Sequence, residues 1–355
     1  MTREPILFRV EGTRTEGWEA LSRCLVLSAA MQRRRRPCHF LSHLEPMTLA
    51  AQVKRGDNSW IGADHPVGSP EDFEQVAKEV RRLRPIAVIV DSPHCTPEYL
   101  AELTALGPLV ACMDQAAEYR FPSQLVIHPA LNKAARDYEV CPGAQVLAGP
   151  RYALLRPGIR RVRLVRGQEP QLPLRIVVGF GDDPHNWTKR IVELLLKVPE
   201  AERIDILARA VHPKYPEWAR LAEEHKGRVS LSSETADQAK RISRCHFAIC
   251  EGNNWAMEMA CVGVPLLTIV QEEVYWQTAQ RLEEEGAANL LGWHDAVNDK
   301  TVRMAVENLI SDQAERRQMA RRGRAFLDGR GPDRLVNALE IMVYPFRRQE
   351  AREAA

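Results

Sequence analysis

The sequence is poor in the short signatures that usually betray a function. It has eight cysteines but no Cys-x-x-Cys pair. A zinc ribbon, a dithiol redox centre and a disulfide framework are therefore not expected. Cys24, Cys112, Cys250 and Cys261 lie in apolar runs and read as small core residues. Charge of one sign is also missing, with 49 Lys+Arg against 47 Asp+Glu. Such a balance gives no reason to expect nucleic acid as a partner. The arginine run at 33–36 is the single basic block, and at the end of a predicted helix it reads as a solvated terminus. No His-Glu-x-x-His occurs, and no histidine accompanies a Ser or Cys in a nucleophile signature. No apolar run reaches membrane-spanning length, and the opening Met-Thr-Arg-Glu-Pro-Ile lacks a secretory apolar region. A cytoplasmic protein with no membrane span, no metal and no organic cofactor is the expectation.

What the sequence does have is alternation. At 355 residues the chain is long enough for two domains. Strands are expected at 6–10, 38–42, 86–90, 109–113, 125–128 and 145–148, with helices at 18–32, 69–84 and from 96. Ser69-Pro70-Glu71-Asp72 and Thr96-Pro97-Glu98 are strong helix starts: a hydroxyl cap, then proline, then acid. The run I-A-V-I-V at 86–90 is continuous and β-branched, as in a strand buried on both faces of a parallel sheet. Residues 43–68 stay ambiguous. Strands restart at 175–180, 203–207, 228–231, 246–250 and 266–270, and the stretch 300–348 reads as mostly helical. The expected division is an N-terminal α/β domain at 1–155, a basic linker at 156–173 and a C-terminal α/β domain at 174–355. Two doubly wound Rossmann-like domains facing a cleft follow from this pattern.

The chain is organised around A-I-C-E-G-N-N-W-A-M-E-M-A-C-V-G-V-P at 248–265. It reads as strand, tight turn, helix, with Gly263 and Pro265 ending the helix. A helix beginning after Gly252-Asn253-Asn254 points its free N–H groups and positive dipole end beyond the strand, which suits an anion. An ordinary turn with capping asparagines is the alternative. The loop at 179–186 contains two glycines that let backbone approach a phosphate, but G-F-G-D-D-P lacks the third glycine of a dinucleotide fingerprint. A third loop, at 12–18, follows the first strand. Among the ten histidines, His94 and His185 are the catalytic candidates because each follows a strand at the presumed cleft edge. Asp91 is a weaker candidate at a strand end.

Several segments resemble one family. They are F-R-V-E-G-T-R-T-E-G-W-E-A-L-S-R-C from Phe8, V-I-V-D ending at Asp91, and L-A-G-P-R-Y-A-L-L-R-P from Leu147. G-F-G-D-D-P-H-N-W-T, the 248–265 stretch and Q-T-A-Q-R-L-E-E-E-G from Gln277 complete the set. Together they are similar to the UDP-2,4-diacetamido-2,4,6-trideoxy-β-L-altropyranose hydrolases of pseudaminic acid biosynthesis and to related spore-coat polysaccharide proteins. The resemblance implies a GT-B-like fold and a UDP-sugar ligand in the interdomain cleft. It implies nucleotide contacts from Gly181, Gly252, Asn253, Asn254 and Gln277, with Glu258 on the ribose hydroxyls. The implied reaction is attack of water at the anomeric carbon, releasing UDP. The departures fall on the family's catalytic positions. Its Gly-His is Gly17-Trp18 here, its Asp-x-Tyr is Asp91-Ser92-Pro93, and its Asn-Gln is Trp276-Gln277. Tryptophan and proline cannot act as general bases. A glycosyltransferase with another acceptor, and a nucleotide-sugar binding protein without activity, therefore stand beside the hydrolase.

Overall fold

A computed structural model describes residues 3–13, 18–114, 116–167, 169–171 and 173–353, with side chains to residue 344. Residues 14–17 of the first candidate loop lie outside the described residues. Two units emerge, Met1–Leu154 with Arg330–Ala355, and Leu155–Gly329.

Unit 1 alternates strands and helices as β1 (Ile6–Val10), α1 (Glu19–Gln32), β2 (Cys38–Ser42), α2 (Thr48–Arg55), β3 (Ser59–Gly62), α3 (Pro70–Leu83), β4 (Ala87–Asp91), α4 (Pro97–Ala105) and β5 (Leu109–Met113). Four short strands follow, β6 (Arg120–Phe121), β7 (Leu125–Ile127), β8 (Glu139–Val140) and β9 (Gln145–Leu147). Seven of these strands form one parallel sheet in the order β3-β2-β1-β4-β5-β7-β9. Strands β1, β4 and β5 are buried along their whole length. That burial explains the wholly apolar sequence of β5, while β1 and β4 each carry one buried charged residue, Arg9 and Asp91. The helix starts behave as their chemistry requires: Ser69 Oγ accepts from Asp72 N at 3.1 Å, and Thr96 Oγ1 from Tyr99 N at 3.2 Å.

Unit 2 begins with α5 (Pro157–Val165) and continues β10 (Arg175–Gly179), α6 (Trp187–Leu195), β11 (Arg203–Leu207), α7 (Tyr215–Glu224), β12 (Val229–Ser232), α8 (Thr235–Arg244) and β13 (Phe247–Cys250). It ends with α9 (Asn254–Val262), β14 (Leu266–Val270), α10 (Glu273–Glu284), β15 (Ala288–Trp293), α11 (Asp299–Ser311) and α12 (Gln313–Phe326). Its parallel sheet has the order β12-β11-β10-β13-β14-β15. The core joins Ile176, Val178, Ile204, Ile206, Phe247 and Ile249 to the helices, with Trp187 and Trp218 its largest side chains.

Two expectations are corrected. Residues 156–173 are not a plain linker, since they contain α5 and count with unit 2. The C-terminal helix α13 (Gly331–Glu353) does not belong to the second domain but returns to unit 1. Its partners include Arg33, Arg34 and Arg36; the first two are exposed, as a solvated terminus would be, and Arg36 alone is buried. Arg36 is 2% exposed and grips both oxygens of Glu340 at 2.9 Å. Arg33 meets Asp333 at 2.8 Å and Arg34 meets Asn337 at 2.7 Å. Among the described residues no helix is long and apolar enough to cross a membrane.

Candidate functional site

Both sheets reverse direction about their first strand. In unit 2, β10 leads outward through β11 to β12, and the chain then returns to place β13 on the other side of β10. Just beyond the carboxyl ends of β10 and β13 is the topological switch point, where open α/β sheets bind ligands. The turns at 180–186 and 251–254 lie there, and Gly179 is in register with Cys250.

The two turns touch through Asn253. Its Oδ1 accepts from Trp255 N at 3.0 Å and caps α9. Its Nδ2 lies 2.8 Å from where a Cβ on Gly181 would stand, and Gly181 has φ +77°. Only glycine fits there, for space and for backbone conformation. Gly252 is constrained differently. A Cβ on it would lie 2.5 Å from Tyr275 O and 2.8 Å from Ala279 Cβ, so the turn is pressed against α10. The helix itself is buried on all sides, from Trp255 to Val262. At its far end Gly263 is left-handed, with Gly263 N bonded to Ala260 O and Val264 N to Met259 O.

Charged groups cluster on the same edge. Arg209, two residues beyond β11, holds Asp182 at 2.9 Å and stands 5.7 Å from the Trp255 ring centroid. Lys214 Nζ donates to Asp183 O at 2.9 Å and Pro184 O at 3.1 Å. The Asp183 carboxylate accepts from Trp187 N (2.7 Å), Thr188 N (3.0 Å) and Gln271 Nε2 (3.0 Å). His212 is buried and donates from Nε2 to Asp182 O at 2.8 Å, while its Nδ1 accepts from Lys214 N at 3.1 Å. Burial lowers its pKa, so this imidazole braces the turn as a neutral group.

Glu251 is the residue the sequence reading overlooked. It is fully buried directly after β13. Its Oε1 accepts from Gln271 N (2.7 Å) and Glu272 N (3.1 Å), while Oε2 has no partner among the described residues. Burial, aided by the charges of Glu272 and Asp183, pushes its pKa up to about 9. At neutral pH it is therefore an uncharged carboxyl beneath the turn. An isolated Glu before Gly-Asn-Asn carries no sequence mark of this state.

The remaining candidates are placed as follows. Glu258 is 2% exposed and bound to Arg156, whose Nε reaches Oε1 at 2.8 Å and Oε2 at 2.9 Å, and whose backbone N–H meets Oε1 at 3.1 Å. The expected ribose ligand is thus committed to a buried ion pair within unit 2. Gln277 is exposed on α10, and its neighbour Trp276 stacks on Trp293 with centroids 5.0 Å apart and planes 4° from parallel. His185 is exposed and stacks on His294 at 3.7 Å.

In unit 1 the switch point lies between β1 and β4. Asp91 ends β4 there but is not available as a catalytic acid. It is 2% exposed, and Arg23 Nε and Nη2 donate to its two oxygens at 2.6 Å each. The pair ties α1 to the central strand. Pro93 and His94 are exposed in the following loop, where His94 N donates to Ser92 Oγ at 3.2 Å. Trp18 is buried, and its Nε1 donates to Glu45 O at 3.2 Å. A second buried network, also unforeseen, joins Arg9 to Asp72 (2.7 Å) and Glu11 (2.8 Å), with Tyr99 Oη on Asp72 at 2.6 Å. No group of three or more His, Cys, Asp or Glu side chains suited to a metal ion occurs among the described residues.

No protein-family model matches the chain. The spore coat polysaccharide biosynthesis protein SpsG of Bacillus subtilis (strain 168) is 24% identical over 223 residues, 62% of this chain and 58% of the relative. The chain thus spans somewhat over half the length of that relative. Acinetobacter baumannii MurG superposes with a TM-score of 0.66 at 14% identity, covering 95% of this chain and 99% of that one. The Neisseria meningitidis UDP-GlcNAc 2-epimerase bound to UDP-GlcNAc superposes with a TM-score of 0.62 at 14% identity, covering 94% and 99%. At these identities the likeness establishes the fold: two doubly wound Rossmann-like units of the GT-B type.

Proposed function

We propose that the protein binds a UDP-sugar on unit 2 and splits it at the anomeric carbon, with water taking the glycosyl group and UDP leaving. The observation that carries the reading is the meeting of the Gly181 and Gly252-Asn253 turns at the switch point of the second sheet. Backbone N–H groups of these turns and of the first turn of α9 bind the diphosphate, with Arg209 and Lys214 supplying positive charge beside it. Gln277, exposed on α10, contributes to the same face. The likeness to a polysaccharide biosynthesis protein and to an epimerase holding UDP-GlcNAc supports a sugar nucleotide over a dinucleotide. A ribose contact from Glu258 requires its pair with Arg156 to open.

A glycosyltransferase is the second reading, and two observations favour it. Trp18 and Pro93 stand where the resembled hydrolases carry their His and Tyr, and neither can activate water. The Trp276–Trp293 stack is partly exposed and offers an aromatic face to a second sugar ring. Incubation with a panel of UDP-sugars, including UDP-linked amino sugars, separates the readings when UDP release is measured with and without added saccharide acceptors. Release without acceptor supports hydrolysis, and release only with acceptor supports transfer. UDP binding without release under either condition overturns both and leaves a binding protein.

A further inference from the structure

A cavity of about 360 Å³ opens on unit 2 at the amino ends of β13 and β14, the edge of the sheet remote from the glycine turns. Its volume falls in the range of small-molecule sites. Its wall is unusual in charge. Arg166, Arg316, Arg317, Arg321 and Arg324 line it against one carboxylate, Glu169. Glu169 Oε1 is taken by Arg316, and Oε2 has no partner among the described residues. His246 also lines the cavity, but burial lowers its pKa and it stays neutral.

With Arg316 committed to Glu169, the other four arginines divide into two sets. Arg166 is buried and uses one nitrogen, Nη1, on the carbonyls of Ile242 (3.2 Å), Ser243 (3.0 Å) and Cys245 (2.7 Å). Arg324 likewise spends Nη1 on Arg163 O (2.9 Å), Arg166 O (3.1 Å) and Val262 O (3.1 Å). These carbonyls close the ends of α5, α8 and α9 and fix the guanidinium planes. They leave each cation without a carboxylate of its own among the described residues. Burial and the charges of Arg163 and Arg166 lower the pKa of Arg324. The close approach is built in: Gly263 leaves space for the stem of Arg324, and Gly323 packs on the backbone of Ala260. The second set, Arg317 and Arg321, is exposed one turn apart on α12, with no ion pair or hydrogen bond among the described residues. Like charges at this spacing destabilise a helix. A solvated basic face accounts for Arg317 and Arg321 alone. It does not account for that face ending on a cavity floored by two further guanidiniums whose hydrogen bonds go to carbonyls rather than to a carboxylate.

We propose that this cavity is a second binding site, for a small soluble molecule carrying a phosphate or diphosphate group. The fixed guanidiniums of Arg166 and Arg324 form its floor, and Arg317 and Arg321 close on the anion from the rim. The site is independent of the nucleotide reading, because none of its residues belongs to the switch-point turns.

Isothermal titration of the full chain with inorganic pyrophosphate tests it, comparing wild type, Arg317→Gln/Arg321→Gln and the turn variant Asn253→Ala. The expected result is a saturable site, separate from pyrophosphate bound at the turns, that the double glutamine variant weakens at least tenfold and Asn253→Ala leaves unchanged. Arg317→Lys/Arg321→Lys should restore most of the affinity. Because both positions are exposed and their like charges repel, the thermal midpoint of the glutamine variant should equal or slightly exceed that of wild type, which separates lost binding from lost folding. Absence of a saturable site, equal affinity in the glutamine variant, or loss confined to Asn253→Ala overturns the proposal. A parallel arm uses phosphatidylcholine vesicles containing phosphatidic acid. Binding to those vesicles without binding to free pyrophosphate also overturns it, since the occupant would then be a lipid surface.

Discussion

Glu251 makes a quantitative prediction about pH. Its ordinary value is 4.5, and burial in unit 2 raises it to about 9. Between these limits the folded protein keeps a proton that the unfolded chain releases. Stability therefore falls as pH rises, by about 1.4 kcal/mol per unit for this one group. The contribution is whole below about pH 4.5 and gone above about pH 9. At pH 7.5 the loss is about 4 kcal/mol, a large share of a typical folding free energy. Glu251→Gln removes the titration but keeps an acceptor for Gln271 N and Glu272 N. Its amide NH2 occupies the place of Oε2, which already lacks a partner, so the cost of an unsatisfied polar group is shared by both proteins. The assay is urea denaturation from pH 5 to pH 8.5 followed by tryptophan fluorescence, since five of the seven tryptophans lie in unit 2. The variant should match wild type near pH 5 and exceed it by a margin that widens toward pH 8.5. Parallel curves would refute the neutral carboxyl. A variant less stable at every pH by a constant amount would show that packing, not protonation, governs the position.

Other consequences follow from the same geometry. Gly252→Ala puts a Cβ against Tyr275 O and Ala279, so α10 must shift; a loss of about 1–3 kcal/mol in stability and weaker UDP binding by calorimetry are expected. Arg209→Ala should lower UDP affinity roughly tenfold, about 1.4 kcal/mol, with little change in thermal midpoint; unchanged affinity would remove Arg209 from the site. Asp91→Asn breaks a buried ion pair and should cost about 3–5 kcal/mol, while the protein still folded retains its turnover per molecule. Loss of turnover at full stability would return Asp91 to the list of catalytic groups. Glu258→Gln should destabilise unit 2 through Arg156, and a fall in UDP affinity without a fall in stability would restore its ribose role.

Local chemistry was legible in the sequence, and long-range charge pairing was not. The β-branched runs of β4 and β10, the caps at Ser69 and Thr96 and the turn before α9 all declare themselves within a few residues. Helix α5 did not. Pro157-Gly158-Ile159-Arg160-Arg161-Val162-Arg163 is crowded with arginine and reads as a basic link. In the fold Arg163 bonds Cys261 O (2.5 Å), Leu327 O (2.9 Å) and Arg324 O (2.8 Å), so this charge is turned inward while Arg161 stays exposed. The same blindness hid the return of α13, whose anchors to the 33–36 arginines span about three hundred residues. Residues 43–68 hold α2 and β3, too short and too interrupted by glycine and proline to show a period.

The site shows why reading its turn alone was insufficient. Four carboxyl groups lie in or near the two turns: Asp182, Asp183, Glu251 and Glu258. In sequence they make an acidic surround, a poor place for a diphosphate. The structure withdraws each by a different means. Asp182 is paired with Arg209, and Asp183 is occupied by the backbone N–H groups that open α6. Glu258 is held by Arg156, and Glu251 is kept uncharged by burial. Lys214 meanwhile rests on carbonyl oxygens, so its charge is not cancelled by a carboxylate contact. The local balance is thereby brought from negative to near neutral, with Lys214 offsetting the charge of Asp183, without a run of basic residues. An anion site of this kind has no composition signature, because the sequence records which charges are present but not which have been neutralised. Raising the pH toward 9 tests that logic directly. Ionising Glu251 restores one negative charge beneath the turn, so UDP affinity should fall over that range in wild type and not in Glu251→Gln.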